Sequence, residues 1–148
     1  MAAAALRALL DVNVLIALLD AGHMGHARAT TWLADHLDQG WASCPLTQNG
    51  CIRIMCQPAY GGGLSAEAVA TRLAEATRGP AHSFWPDDLS LLDDGVVDWG
   101  RVQGHRQVTD NYLLALAVRH GGRFVSFDAR IDRSAVPGCA AEHLVVLN

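Results

Sequence analysis

Leu6-Arg7-Ala8-Leu9-Leu10-Asp11-Val12-Asn13-Val14-Leu15-Ile16 is the stretch that decides the fold class. Residues 6–10 read as a short buried strand that stops at Asp11, and the apolar run Val14 to Leu19 is long enough for a short helix. A strand passing through one acidic residue into a helix is the first half of a strand–helix–strand unit. The rest of the chain repeats the pattern. A second helical segment covers Ala27 to Leu37, and Trp41 to Cys44 reads as a strand. Pro45 suits the first turn of a helix running from Leu46 to Met55. Pro58 to Gly63 is the clearest loop, and Ser65 is placed to cap a helix carrying Val69, Leu73 and Ala76 on one face. His82 to Trp85 is a candidate strand, followed by an acidic helical stretch from Asp87 to Trp99.

After a polar loop through Gly104 and Thr109, Asp110 opens a strongly apolar helix to His120, ended by Gly121-Gly122. Arg123 to Phe127 is a strand that stops at Asp128, and Leu144 to Leu147 is the last strand. Strands alternating with helices predict an α/β fold, a central parallel β-sheet of four to five strands flanked by helices. With no repeat, low-complexity tract or linker, residues 1–148 are expected to form a single domain.

Composition narrows the function. Apolar residues make up 51% of the chain and mean hydropathy is +0.16, as expected of a well-buried core. The net charge of −4 excludes a protein that coats nucleic acid by bulk electrostatics. All 11 basic residues are Arg and none is Lys, so any mechanism that needs a lysine is excluded. The longest early apolar run, Val12 to Leu19, is too short for a membrane span, and Asp11 interrupts a signal-peptide core. Cys44, Cys51, Cys56 and Cys139 form no CxxC pair and read as buried small apolar side chains. The expected location is cytoplasmic.

Asp11, Asp110 and Asp128 stand at comparable places, at strand ends or a helix start. In an open α/β sheet functional groups collect at the carboxyl ends of strands. Pressed together, carboxylates raise one another's pKa, and with no lysine to neutralise them a divalent cation is the natural partner. Magnesium takes oxygen ligands, keeps several waters and uses one or two carboxylates. Taken singly, each aspartate is more often a helix cap than a metal ligand, whereas the three together at strand ends leave both explanations open.

Longer motifs point to a family. Residues 9–16 resemble the opening motif of PIN-domain nucleases, in particular the VapC toxins of bacterial toxin–antitoxin systems. Val108-Thr109-Asp110-Asn111-Tyr112-Leu113-Leu114-Ala115-Leu116-Ala117 resembles their second acidic motif, and Phe124-Val125-Ser126-Phe127-Asp128 the strand carrying their last acidic residue. Thr47 to Ile54 is similar to the helix after the second strand, and His23 and His26 ahead of Trp32 to the form abundant in mycobacteria.

The resemblance implies a PIN-like fold and an endoribonuclease using Mg2+, with Mn2+ able to substitute. Asp11 and Asp110 would hold the metal, Asp128 would complete the acidic catalytic pocket, and a metal-activated water would cut RNA. It also implies a cognate antitoxin protein and a homodimer, with no membrane association. Many family members carry Glu where this chain has Gln48, which implies weaker metal binding. A PIN-like module that binds RNA or a protein partner without cutting is the alternative.

Several further features have plain structural explanations beside functional ones. His23 and His26 have the spacing of a metal pair but also suit a polar helix entry, and Arg53 suits RNA phosphate, an antitoxin carboxylate or a surface ion pair. Six arginines between Arg101 and Arg133 are candidates to line an RNA path, and the run Asp87, Asp88, Asp93, Asp94 and Asp98 is expected on a solvated helix face. Haloacid-dehalogenase-like phosphatases and phospho-acceptor domains are excluded by the missing lysine, and dinucleotide binding by the absence of GxGxxG after the first strand.

Overall fold

A computed structural model describes residues 5–148. Five strands form one sheet: β1 (Ala8–Leu10), β2 (Trp41–Ser43), β3 (His82–Phe84), β4 (Arg123–Ser126) and β5 (Leu144–Val146). Their order is β3-β2-β1-β4-β5, and every neighbouring pair is parallel. Among the described residues five α-helices flank the sheet: α1 (Val12–Leu19), α2 (His26–His36), α3 (Pro45–Met55), α4 (Ala66–Thr77) and α5 (Val108–Arg119).

The two-residue period of the strands divides the core. Ala8, Leu10, Trp41 and Val125 face a cluster built with α1 to α4, including Leu15, Trp32, Cys51, Met55, Val69 and Leu73. Leu9, Ala42 and Phe124 face the other way, toward α5. Asn111 to Ala117 of α5 are buried without interruption, so this helix lies inside the molecule rather than on it. Each fully buried Leu there stabilises the fold by about 1.5–3 kcal/mol.

The turn into β4 is made by two glycines. Gly121, at φ +68°, ends α5 in the left-handed region. Gly122 lies so close to the Arg7 carbonyl and the Trp85 ring that a Cβ would collide with both. The missing side chain lets the Arg123 amide reach the Arg7 carbonyl at 2.9 Å and sets β4 beside β1.

Three expectations need correction. Residues 87–99 form no α-helix but a series of turns leading into a single 3-10 turn at Trp99–Arg101, with the Leu92 amide bonded to Ser90 Oγ and the Val96 amide to the Asp93 carbonyl. Three of their five aspartates are engaged: Asp87 accepts from the Leu46 amide, Asp88 from His120, and Asp98 locally from Gly100 and Arg101. Serine and aspartate side chains that bond backbone amides two residues on, with Gly95 among them, favour turns over a helix. α1 begins at Val12 rather than Val14, because Asp11 caps it directly. α5 begins at Val108, so Asp110 lies inside its first turn instead of opening it.

Candidate active site

The parallel register sets Leu10 beside Val125, and the Asp11 amide donates to the Val125 carbonyl at 2.9 Å, carrying the β1–β4 ladder one residue past β1. The Asp11 side chain therefore emerges at the carboxyl ends of the two central strands. One carboxylate oxygen accepts from the Val12 amide at 2.8 Å, and the other from Ser126 Oγ at 2.7 Å. Ser126 Oγ in turn accepts from the Asp128 amide at 3.1 Å. Ser126 is wholly buried and Asp11 only 7% exposed, so this relay fixes Asp11 in one orientation. Burial drives the Asp11 pKa up; its two hydrogen bonds oppose that, and the Asp128 charge adds to it.

Asp110 is different. Its carboxylate has no hydrogen-bond or ion-pair partner among the described residues. Its pKa is pushed up to about 6, first by burial and then by the negative charges of Asp11 and Asp128, with Arg130 pulling weakly the other way. Asp128 has the opposite balance. Arg130 binds both of its oxygens at 3.0 Å, its backbone amide adds a bond at 2.9 Å, and these donors hold Asp128 below the usual carboxylate range.

Asp110, Asn111, Asp128, Arg130 and the segment 103–107 line a cavity of about 360 Å³. Asp11 is not part of its wall but acts on Asp110 through its charge. The three predicted acids are thus brought into one electrostatic group. Among the described residues no three His, Cys, Asp or Glu side chains form a ready-made metal cluster. The donor set nevertheless fits a hard cation that keeps most of its waters: oxygen ligands only, and in Asp110 a carboxylate whose ionisation costs energy until positive charge is supplied.

Other expectations resolve plainly. Gln48 is not on the wall of the Asp110 cavity. Its amide donates to Ser43 Oγ at 2.9 Å, where His82 also bonds, and it lines a separate cavity with Ile52, Leu73 and Thr77. Ser43 shares the face of β2 occupied by Trp41, on the α1–α4 side of the sheet, and the amide saturates this buried hydroxyl. His23 accepts from the Gly25 amide and His26 bonds the Ala17 carbonyl, so both serve the entry to α2. Arg53 is exposed. Of the six C-terminal arginines only Arg106 and Arg130 line the cavity; Arg123 stacks over Trp32 and bonds Gln39, and Arg101 pairs with Asp98.

Sequence reasoning missed Ser126 and Asn111 as contributors. Each left a signal, a polar residue in a run otherwise apolar, Phe124-Val125 in one case and Tyr112 to Ala117 in the other.

A family profile for the PIN domain matches residues 8–137, which include β1, α5, β4 and all three aspartates. This chain belongs to the PIN-domain family. Within it, the chain is 50% identical over 142 residues to ribonuclease VapC44 of Mycobacterium tuberculosis, covering 96% of this chain and all of that protein. Identity to ribonuclease VapC39 of the same organism is 44% over 132 residues, 88% of this chain and 95% of that one. The crystal structure of M. tuberculosis VapC20, described as a sarcin–ricin loop cleaving toxin, superposes with a TM-score of 0.63 at 12% identity, over 89% of this chain and 98% of that one. At that identity the superposition speaks for the PIN fold alone. No helix among the described residues is long and apolar enough to cross a membrane.

Proposed function

We propose that this PIN domain is a magnesium-dependent endoribonuclease acting as the toxin of a toxin–antitoxin pair. The observation that carries the proposal is the Asp110 carboxylate: unpartnered, partly buried, raised to about 6, and facing a cavity beside two further carboxylates. A group held so unfavourably is a candidate functional site rather than a structural cap. The relationship to proteins named ribonucleases supports the same reading.

Asp11 and Asp110 would hold the metal. Asp11 offers a carboxylate already aimed by Val12 and Ser126, and Asp110 one with both oxygens free. Asp128, clamped by Arg130, completes the acidic pocket at one remove, holding negative charge near the other two without itself being free to turn. Bound there, magnesium, or manganese in its place, supplies an activated water and stabilises charge on the phosphodiester. Arg106 and Arg130 provide positive charge in a chain whose net charge of −4 otherwise repels RNA. An antitoxin protein, a homodimer and a cytoplasmic place of action belong to this proposal and rest on the relationship to the VapC ribonucleases.

A module that binds RNA without cutting is the second reading, favoured by the double hydrogen bond from Arg130 that neutralises one of the three acids. Cleavage of structured RNA in magnesium, in EDTA and by the Asp110→Asn variant separates the two. Cutting only by the unaltered protein in magnesium is expected. Equal cutting by Asp110→Asn, or none by the unaltered protein at saturating metal, would favour the non-cutting module or another source of activity.

A further inference from the structure

The acidic cavity has a second chemistry. Asn111 lies directly after Asp110 on α5, is only 2% exposed and contributes to the cavity wall, and its amide nitrogen has no hydrogen-bond acceptor. The six residues that follow it on α5 are all buried and, Tyr112 apart, purely apolar. An apolar side chain would fit this environment without cost, whereas a buried donor left without an acceptor costs about 1–3 kcal/mol. A native structure that keeps such a group keeps it for a ligand, a water or a polar network. The nitrogen itself is buried, and no protein acceptor among the described residues reaches it. The amide plane turns about a soft torsion, and rotation about it exchanges the positions of the amide oxygen and nitrogen, which is the movement that would present the nitrogen to the cavity.

Arg106 lines the same cavity. It is exposed and has no acidic partner among the described residues, unlike Arg101, paired with Asp98, and Arg130, paired with Asp128. The wall therefore carries a free guanidinium, the unpaired amide donor of Asn111 lies just behind it, and beside them stands the unpartnered Asp110 carboxylate. Donors without acceptors call for a ligand rich in acceptor oxygens and carrying negative charge, and a phosphodiester has both properties.

We propose that Arg106 and Asn111 form a phosphate subsite beside Asp110, gripping non-bridging oxygens of a single-stranded RNA so that the strand is positioned against the acids. The subsite rests on the ribonuclease reading for the identity of its ligand, but its binding can be measured without turnover. Arg106 supplies the charge attraction and Asn111 the fixed direction.

The test uses the full chain and a fluorescent mixed-sequence 12-nucleotide RNA, titrated in calcium and checked on a gel to be intact. Asn111→Leu keeps the volume and removes the amide. It is expected to weaken RNA binding about fivefold, to leave manganese affinity unchanged by calorimetry and to leave Tm equal or higher, since an unsatisfied donor has gone. A merely structural amide would give the opposite pair, a lower Tm with unchanged RNA affinity, and that result overturns the proposal. Arg106→Ala, on the surface and safe for folding, is expected to weaken binding about tenfold and to flatten the plot of log affinity against log salt by about 0.7, the loss of one phosphate contact on a single strand. Should Asn111→Leu not fold, an unchanged affinity in Arg106→Ala overturns the subsite by itself. The nuclease reading fails separately. An unaltered protein that binds this RNA in calcium but cuts none in magnesium removes the nuclease and leaves the subsite standing on the two affinities. A protein that cuts while both variants bind normally removes the subsite and leaves the nuclease.

Discussion

Asp11, Asp110 and Asp128 are chemically one residue type placed in three environments, and their hydrogen bonds set them apart. Asp11 is buried but satisfied, Asp128 is clamped by Arg130, and Asp110 is neither. Because the pKa of Asp110 is about 6 in the folded protein and 3.8 as its ordinary value, the folded chain binds the extra proton between those values. Its contribution to stability is therefore complete below pH 4 and is lost as the pH rises through 6. Asp110→Asn is accordingly expected to stabilise the metal-free protein by roughly 1–2 kcal/mol at pH 7.5 after allowance for solvent screening. In denaturant titrations at several pH values the gain should shrink to nothing near pH 4. Gln48→Glu, by contrast, should leave manganese affinity unchanged in calorimetry, since that side chain is committed to Ser43. A tighter complex would place it in the acidic pocket after all. Ser126→Ala breaks the relay at its centre and leaves a buried carboxylate oxygen of Asp11 without its donor, at a cost of about 1–3 kcal/mol at neutral pH, measurable by urea denaturation.

At the scale of elements, α5 is both the main apolar support and the carrier of Asp110. Its first turn holds Asp110 and Asn111 at the cavity, and its next two turns are anchored by Leu113, Leu114 and Leu116, all fully buried. Leu114→Ala should cost about 2–5 kcal/mol in thermal unfolding, because the residues around it leave little room to collapse into the void. Residues 87–99 show how an acidic, amphipathic-looking segment can avoid helix. Leu89, Leu91 and Val96 pack against the α5 side of the core while Asp87 and Asp88 bond a distant backbone amide and a distant imidazole. No period within the segment reveals those partners, because they belong to α3 and to the residue that caps the end of α5.

For the whole molecule, the parallel order β3-β2-β1-β4-β5 places the ends of β1 and β4 at the sheet's centre, and α5 returns Asp110 to the same place across nearly a hundred residues of chain. A cation bound there stabilises the folded state by mass action. The Tm should therefore rise on adding magnesium at pH 7.5, and the rise should diminish between pH 7 and 5 as protons compete for Asp110. Asp110→Asn should abolish it. A magnesium response that is independent of pH and survives that substitution would locate the cation elsewhere.

The sequence by itself determined the alternation of strands and helices, the five strands to within two residues, and the three aspartates, because local apolar period and strand-end position are written in neighbouring residues. It also carried the PIN-domain resemblance, whose motifs span β1, α5 and β4. Only the tertiary structure decided that Asp128 is clamped while Asp110 stands free, that Ser126 joins Asp11 to Asp128, and that Gln48 turns toward Ser43. Each of those outcomes depends on a hydrogen-bond partner or a depth of burial, and both are fixed by packing between elements distant in the chain.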